Sequence, residues 1–326
     1  MALFLQQKDI VDLITVDEIF MAVEGGFREQ AVGEVQLPAR TTVDSTSGRG
    51  WLRLMPAIMN QSGFMGFKAM HSTPGVGVRY VVMLYSLVTG ELLAVIDADW
   101  LTSRRTAATG AVGVDVLARP DASVLGILGS SAQARSMLEA VSRRRQFKKV
   151  KVFSPTPENR KRFADEMGDR LRLEIEPVVS EEAAVRNSDV VLSIFRAGSN
   201  PVIQPEWLGP GVHLHAGSSV RPESRELANG VWQRSDVIAV DDLVHALESG
   251  DGLGARSEGG IPEGKVVGVW EILGGGKPGR QSASDITLFK AVGTGMQDLA
   301  LAAALYRRAK ELGLGTEFAD FPRARK

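Results

Sequence analysis

Between residues 10 and 32, Ile14, Ile19, Val23 and Phe27 recur every four or five positions with acidic residues between them, a spacing that predicts helix. From residue 35 to about 96 the pattern changes to short apolar runs broken by Gly, Ser and Pro, among them WLRLMPAIM, GFMGFKAM and VRYVVMLYSLVTGELLAVID. Such runs predict an antiparallel sheet. A helix follows over about 102–118 and stops at Arg119-Pro120, so a domain boundary is expected near residue 119. Beyond it strands are predicted at 124–128, 150–153, 189–194, 212–216 and 236–241, with Ala134, Met137, Leu138 and Val141 on one face of the helix after the first. This alternation predicts a doubly wound parallel sheet, an α/β architecture. Near the end, residues 297–312 form an amphipathic helix with Leu299, Ala303, Tyr306 and Leu312 inward, closed by Gly313 and Gly315.

A chain of 326 residues is long for one core and comfortable for two. It has no cysteine, which excludes disulfide frameworks, thiolate metal sites, iron-sulfur clusters and thiol nucleophiles. Charged residues (24%) nearly cancel to a net charge of -1, so no global field draws the chain to nucleic acid or an anionic membrane, and a small-molecule partner is expected. The start, MALFLQQKDIVDL, has no basic stretch before a long apolar run, so a cytoplasmic location is expected. The basic run SRRRQFKK at 142–149 closes a helix, where cations are favourable at the carboxyl end, and is read as a solvated helix end.

The segment VLGILGSSAQARSMLEAV has the form of a strand, a tight turn and a helix, the arrangement in which helix amides meet a pyrophosphate. The phosphates would sit over Gly129, Ser130, Ser131, Ala132 and Gln133. Ser131 and Ala134 stand where the fingerprint has its second and third glycines, so an ordinary strand-to-helix turn is the alternative. The next strand ends at Phe153-Ser154, about where a dinucleotide fold inspects the adenosine ribose. No acid stands there; Ser154 and Thr156 can donate to a 2'-phosphate and Arg160 or Lys161 can pair with it, which favours NADP(H) over NAD(H). Helix capping by Ser154-Pro155-Thr156-Pro157 would be compatible with either cofactor. Thr106 and Ser193 join the cofactor candidates.

Chemistry on an amino or imino acid needs cations for the carboxylate and a group that moves a proton. Arg40 follows Leu37-Pro38-Ala39, Arg53 sits in WLRLMP, Lys68 in GFMGFKAM and Arg105 in TSRRTAATG. Arg53 and Lys68 interrupt apolar strands, where a buried charge needs a substrate or protein carboxylate beside it; an exposed strand face is the alternative. His71, in place of Lys68, could be the proton-transfer group, or a partner that supports it; a structural loop residue is the alternative. His213 and His215 alternate on a strand, but without cysteine or a third ligand no metal is expected.

The motifs LPARTT, LRLMP, GFKAMHSTP, SRRTAATGAVG, LGSSAQA and GRQSASDITLFKAVGTG together make the chain similar, over almost its whole length, to the ornithine cyclodeaminase and mu-crystallin family, which includes archaeal-type alanine dehydrogenases and ketimine reductases. The resemblance implies a homodimer. It also implies a Rossmann-type domain (119–295) inserted into an α+β substrate-binding and dimerisation domain built from 1–118 and 296–326. Arg40, Lys68 and Arg105 match positions that hold the substrate carboxylate, with Lys68 assisting proton transfer and Arg105 also near the cofactor. Lys68 and Arg53 are the expected catalytic residues. Cyclodeaminases carry an acid at the position of Arg53, whereas alanine dehydrogenase-like members carry Arg, so a cationic substrate tail would meet repulsion. In HAGSSVRPESREL, Val220 falls where cyclodeaminases have a catalytic Asp, or Ser219 does if the register shifts. The run from Gly279 to Gly295 is read as a loop and helix start near the nicotinamide, with Ser282, Thr287 and Gly293 in reach; close packing between domains is the alternative reading of its small residues. The expected activity is NAD(P)H-dependent reduction of a small imino acid, a ketimine or a 2-oxo acid plus amine, or the reverse dehydrogenation. Ornithine cyclodeamination with bound NAD and non-enzymatic nucleotide and ligand binding of the mu-crystallin type are the alternatives.

Overall fold

A computed structural model describes residues 2–257, 259–262 and 264–319; residues 320–326 of the expected terminal segment lie outside the described residues. The elements in chain order begin with β1 (Ala2–Leu5), α1 (Gln7–Ile10), α2 (Val16–Ala31), β2 (Val35–Gln36), β3 (Thr41–Asp44), β4 (Trp51–Met59), β5 (Phe64–Thr73), β6 (Gly77–Ser86), β7 (Leu92–Asp97) and α3 (Asp99–Leu117). There follow β8 (Val124–Leu128), α4 (Ala132–Val141), β9 (Lys149–Phe153), α5 (Pro157–Leu171), β10 (Ile175–Pro177), α6 (Glu181–Val185), β11 (Val190–Ser193) and β12 (His213–Ala216). The last are α7 (Gly230–Arg234), β13 (Val237–Val240), α8 (Leu243–Glu248), α9 (Gly250–Ser257), β14 (Val266–Gly268), α10 (Val269–Leu273), β15 (Thr287–Lys290), α11 (Gly295–Leu312) and β16 (Thr316–Phe318). Two compact units result: the chain up to Thr106 with the chain from Thr294 onward, and Ala107–Gly293.

In the first unit an eight-stranded mixed sheet runs β16-β1-β7-β6-β5-β4-β2, with β3 paired to β4. Strand alternation gives it two different faces. Met55, Ala57, Phe64, Lys68, Val82, Leu84, Ala94 and Ile96 point to one face and are buried. Helix α11 packs over β4, β5 and β6 and also against α2. The helices approach closely because residue 26 is glycine: a β-carbon there would collide with the sulfur of Met296. Leu54, Pro56, Phe67, Ala69, Val81, Met83 and Val95 point the other way and stay partly exposed. Helix α2 starts in a capping box, Thr15 Oγ1 accepting from Glu18 N at 3.2 Å while Glu18 accepts from Thr15 N at 2.7 Å. The helix expected over 10–32 begins only at Val16, and a turn in which Asp12 takes a φ of 57° parts it from the short α1.

The second unit is an all-parallel sheet of order β10-β9-β8-β11-β12-β15-β13-β14. Strands β8, β11, β12, β13 and β15 are almost wholly buried, as parallel strands covered on both faces must be, which is why short unbroken apolar runs marked most of them. From β8 the chain moves outward through β9 and β10 and returns on the other side at β11, so the order reverses between β8 and β11. Ligands of such sheets lie at the carboxyl ends of the strands beside that reversal. Two expectations are corrected. The run from Gly279 to Gly295 contains β15, seated between β12 and β13, and is not a simple loop leading to a helix. Leu312, expected inward, is 51% exposed, because α11 turns its last residues to solvent.

Candidate functional site

The nucleotide turn begins at the end of β8. Gly129 has a φ of 120°, and a β-carbon on it would collide with the carbonyl oxygen of Ile194, so no side chain fits. Its N–H donates to Phe153 O at 2.8 Å. Ser131 is the N-cap of α4 and its hydroxyl accepts from Ala134 N at 3.3 Å. The amides of Ala132 and Gln133, in the first turn, have no acceptor in their own helix. This cradle fits a diphosphate: backbone approaches unobstructed and the helix presents its positive end.

Around the turn lie the residues expected to inspect the ribose. Ser130 Oγ donates to Ser154 Oγ at 3.0 Å, and Arg160 Nη1 donates to Ser154 O at 3.0 Å, its guanidinium 5.5 Å from the Phe153 ring centroid. Thr156 is the N-cap of α5 but its hydroxyl makes no capping bond, and it is exposed. Lys161 is exposed on α5, 3.5 Å from Asp165. Arg135, which sequence reasoning passed over, donates to Ser130 O and pairs with Glu166 at 2.7 Å.

In the first unit Lys68, on β5, is 1% exposed, with Nζ 3.0 and 2.9 Å from Oδ1 and Oδ2 of Asp298 on α11. Arg105, on α3, donates from Nε to Asp298 Oδ1 at 2.8 Å and from Nη1 to Gln297 Oε1 at 2.9 Å. Asp298 is fully buried, so its charge needs such partners in place of water. Burial, followed by the charge of Arg105 and then that of Arg40, pulls the Lys68 ammonium down to about 8 against the opposing attraction of Asp298. Lys68 Nζ lies 5.7 Å from the centroid of Tyr80, whose hydroxyl burial and then Asp99 push upward in pKa. Lys68 is paired across strands with Met55 and Val82, and Met70 with Arg53 and Tyr80, so Lys68, Arg53 and Tyr80 share one sheet face. Arg53 Nε donates to Thr42 Oγ1 at 2.8 Å and its guanidinium lies 5.6 Å from the Trp51 ring.

The structure thus brings Lys68, Arg105 and the charge of Arg40 together, with Arg53 on the same sheet face. Thr106 spends its hydroxyl on Thr102 O at 2.8 Å. His71 is exposed on the opposite face of β5 from Lys68. At the carboxyl edge of the parallel sheet, Ser193 ends β11 beside Leu128 of β8, with its hydroxyl on the buried Glu226. Gly293 is held by Asp241, which accepts its N–H at 2.8 Å. Ser282 is a correction. It precedes β15 at the amino edge, where Ser284 O accepts from Gly211 N at 2.9 Å, so it stands a strand length from the Gly129 turn. Thr287 is at that edge too, with His213 Nδ1 3.0 Å from its hydroxyl. Val220 packs against the Val240, Ala246 and Val292 cluster, and Ser219 gives its hydroxyl to Ser224 O. His213 and His215 are fully buried, and among the described residues no group of three or more His, Cys, Asp or Glu could hold a metal.

Asp298, Gln297 and Tyr80 escaped the sequence reading. A signal existed in GMQDLALAAALY, where a polar pair interrupts an otherwise apolar helical stretch only two residues beyond the Gly279–Gly295 motif.

A model of the ornithine cyclodeaminase/mu-crystallin family matches residues 1–313, and the chain belongs to that family. An alanine dehydrogenase of Archaeoglobus fulgidus is 33% identical over 98% of this chain and 98% of its own. A Delta(1)-pyrroline-2-carboxylate reductase of Thermococcus litoralis, solved in complex with NADH and L-proline, is 32% identical with a TM-score of 0.91, over 97% of this chain and 100% of that one. An archaeal alanine dehydrogenase dimer with bound NAD is 33% identical with a TM-score of 0.91, over 98% of this chain and 99% of that one.

Proposed function

We propose that the protein is an NAD(P)-dependent oxidoreductase that reduces a small imino acid, a ketimine or the imine of a 2-oxo acid and an amine, to an amino acid, and can run the reverse dehydrogenation. The observation that carries this reading is the buried trio of Lys68, Asp298 and Arg105: two cations share one anion, which leaves one positive charge to meet one carboxylate. Arg40, Arg53 and Arg105 hold that carboxylate, and Lys68 serves the nitrogen. When bound, the reduced nicotinamide supplies the hydride. Lys68, cationic below about pH 8, gives its proton to the substrate nitrogen as C=N becomes CH–NH, and recovers one from solvent. Arg53 and Val220 stand against ornithine cyclisation: the first repels a distal ammonium and the second cannot take a proton.

The dinucleotide is assigned to Ala107–Gly293, over the Gly129 turn. NADP(H) is preferred on three grounds: Ser154 replaces an acid, the Thr156 hydroxyl is not spent on the helix cap, and Arg160 is anchored beside both. The first unit is assigned substrate binding and dimerisation. Its partly exposed apolar sheet face, from Leu54 through Phe67 to Met83, is the surface a second copy would cover. Among the described residues no helix is long and apolar enough to cross a membrane.

The test follows NADPH and NADH consumption with pyruvate or glyoxylate plus ammonia or methylamine, with cyclic imines of the proline and pipecolate type, and with ornithine plus NAD. Stoichiometric oxidation of the reduced cofactor on an imino acid is expected, falling at least about a hundredfold in Lys68→Ala, the scale of a lost general acid. Ammonia release from ornithine without net cofactor change would overturn the reading.

A further inference from the structure

We propose that Asp298 is the positioning residue of this site: its buried carboxylate holds Lys68 as the proton donor and fixes the Arg105 guanidinium beside it. This deepens the function proposed above and rests on it. A lysine wholly out of water, near two arginines, is disposed to lose its proton, and only an adjacent anion keeps it charged. Tyr80 of β6 lies beside it, Arg105 of α3 and Arg40 before β3 act on it by their charge, and Arg53 of β4 shares its sheet face; none of these is an anion in the physiological range. Among these neighbours Asp298, from α11, supplies the negative charge, 2.9 Å from Lys68 Nζ and 2.8 Å from Arg105 Nε.

The position of Asp298 suits the task. It lies in the first turn of α11, where a carboxylate is stabilised by the helix's positive end and so stays ionised between its two cations. Helix α11 reaches β4 closely because Gly295 carries no side chain: a β-carbon would stand 2.6 Å from Met55 O and 2.7 Å from Pro56 O. Met55 is the cross-strand neighbour of Lys68, so the contact that seats the helix also sets the reach from Asp298 to Lys68. Gln297 orients the other side of the fork by accepting from Arg105 Nη1 at 2.9 Å. One carboxylate thereby sets the charge of the proton donor and the direction of the carboxylate-binding arginine.

In the reductive direction kcat/KM falls as pH rises through the Lys68 pKa. Removing the negative charge in Asp298→Asn makes the ammonium harder to keep, so the alkaline limb moves to lower pH. The expected displacement is about one to three pH units, the usual influence of an adjacent opposite charge. Asp298→Glu keeps the charge and is expected to keep the limb near its original pH while lowering kcat, because the longer arm displaces Lys68. Far-ultraviolet circular dichroism and thermal unfolding check the fold of each variant, and fluorescence titration with NADH checks the other unit, which carries the nucleotide turn. An Asp298→Asn enzyme that binds NADH and keeps the limb in place would overturn the proposal. Should that variant not fold, Asp298→Glu decides: a limb that shifts at unchanged kcat overturns it, and an unshifted limb with reduced kcat supports it. Failure of the wild-type enzyme to turn over any imino acid would sink the functional reading instead, which keeps the two failures distinct.

Discussion

Ser154 directly follows β9, where its backbone carbonyl accepts from Arg160 and its hydroxyl from Ser130. A carboxylate in its place would be drawn to Arg160 and to the ribose hydroxyls of NADH, and would repel a 2'-phosphate at close range. Ser154→Asp is therefore expected to weaken NADPH at least about tenfold while NADH is held or improved, the scale of a single charge-assisted hydrogen bond lost or gained. Fluorescence titration of both reduced cofactors measures it. Equal weakening of the two would mean that Ser154 serves the strand end and not the discrimination. Arg160 was legible in the sequence and Arg135 was not. Arg160 follows the strand end at a fixed helical offset, whereas Arg135 reaches back to Ser130 O only because α4 turns that face toward α5 and Glu166.

At the scale of the element, β12 carries two fully buried histidines into the centre of a parallel sheet. Burial, with the charge of His215 next, holds His213 well below its ordinary range; burial, with the charge of Lys290 next, pushes His215 down to about 3 from 6.5. Both are neutral in the folded protein, and both would take a proton in the unfolded chain near 6.5. Their contribution to stability is thus fully present above about 6.5 and is lost as pH falls toward the folded values, at up to about 1.4 kcal/mol per pH unit for each. His215→Met, which fills similar space without a titrating ring, is expected to flatten the fall in urea midpoint between pH 7 and pH 4.5 relative to wild type. Parallel slopes in the two proteins would refute the assignment. Strands of this sheet were the most legible part of the chain: β8, β9, β11, β12 and β13 all coincide with predicted runs to within a residue or two, because burial on both faces leaves a near-continuous apolar run in β8, β11 and β13. Strand β15 was not legible. Its four residues, TLFK, end in a lysine whose burial makes sense only with Glu226 and Asp251, 64 and 39 residues away, at 2.7 and 2.8 Å. Lys68 hid its partner in the same way, 230 residues along the chain in Asp298. Sequence pattern marked Lys68 as a costly cation and passed over Lys290, and the folded chain supplied the anions of both.

Over the whole molecule, the consequence of strand alternation is a sheet with one committed face and one open face. Lys68 and Phe67 are neighbours on β5 and point opposite ways, the first into the buried cluster with Asp298 and the second into the row Pro56, Phe67, Met83 and Val95. Contiguous partly exposed apolar rows of this extent are uncommon on a stable monomer, and two such faces can cover one another at the usual sheet-on-sheet spacing of about 10 Å. If a two-fold axis relates the copies, each substitution enters the interface twice. Phe67→Glu then places two carboxylates in a desolvated contact and removes two aromatic rings, a combined cost well beyond the roughly 3 kcal/mol that one buried phenyl contributes. Sedimentation velocity is expected to show a dimer for wild type and a monomer for Phe67→Glu at the same concentration. A wild-type protein that sediments as a monomer throughout would remove the dimer, and a dimeric variant would move the interface to another surface. Because the altered side chain leaves β5 on the face away from Lys68, the variant also separates assembly from chemistry. A monomer with unchanged turnover would show that the second copy only shields the sheet, and a monomer with impaired turnover but intact NADH binding would show that the covered sheet is what keeps Lys68, Arg53 and Tyr80 in register.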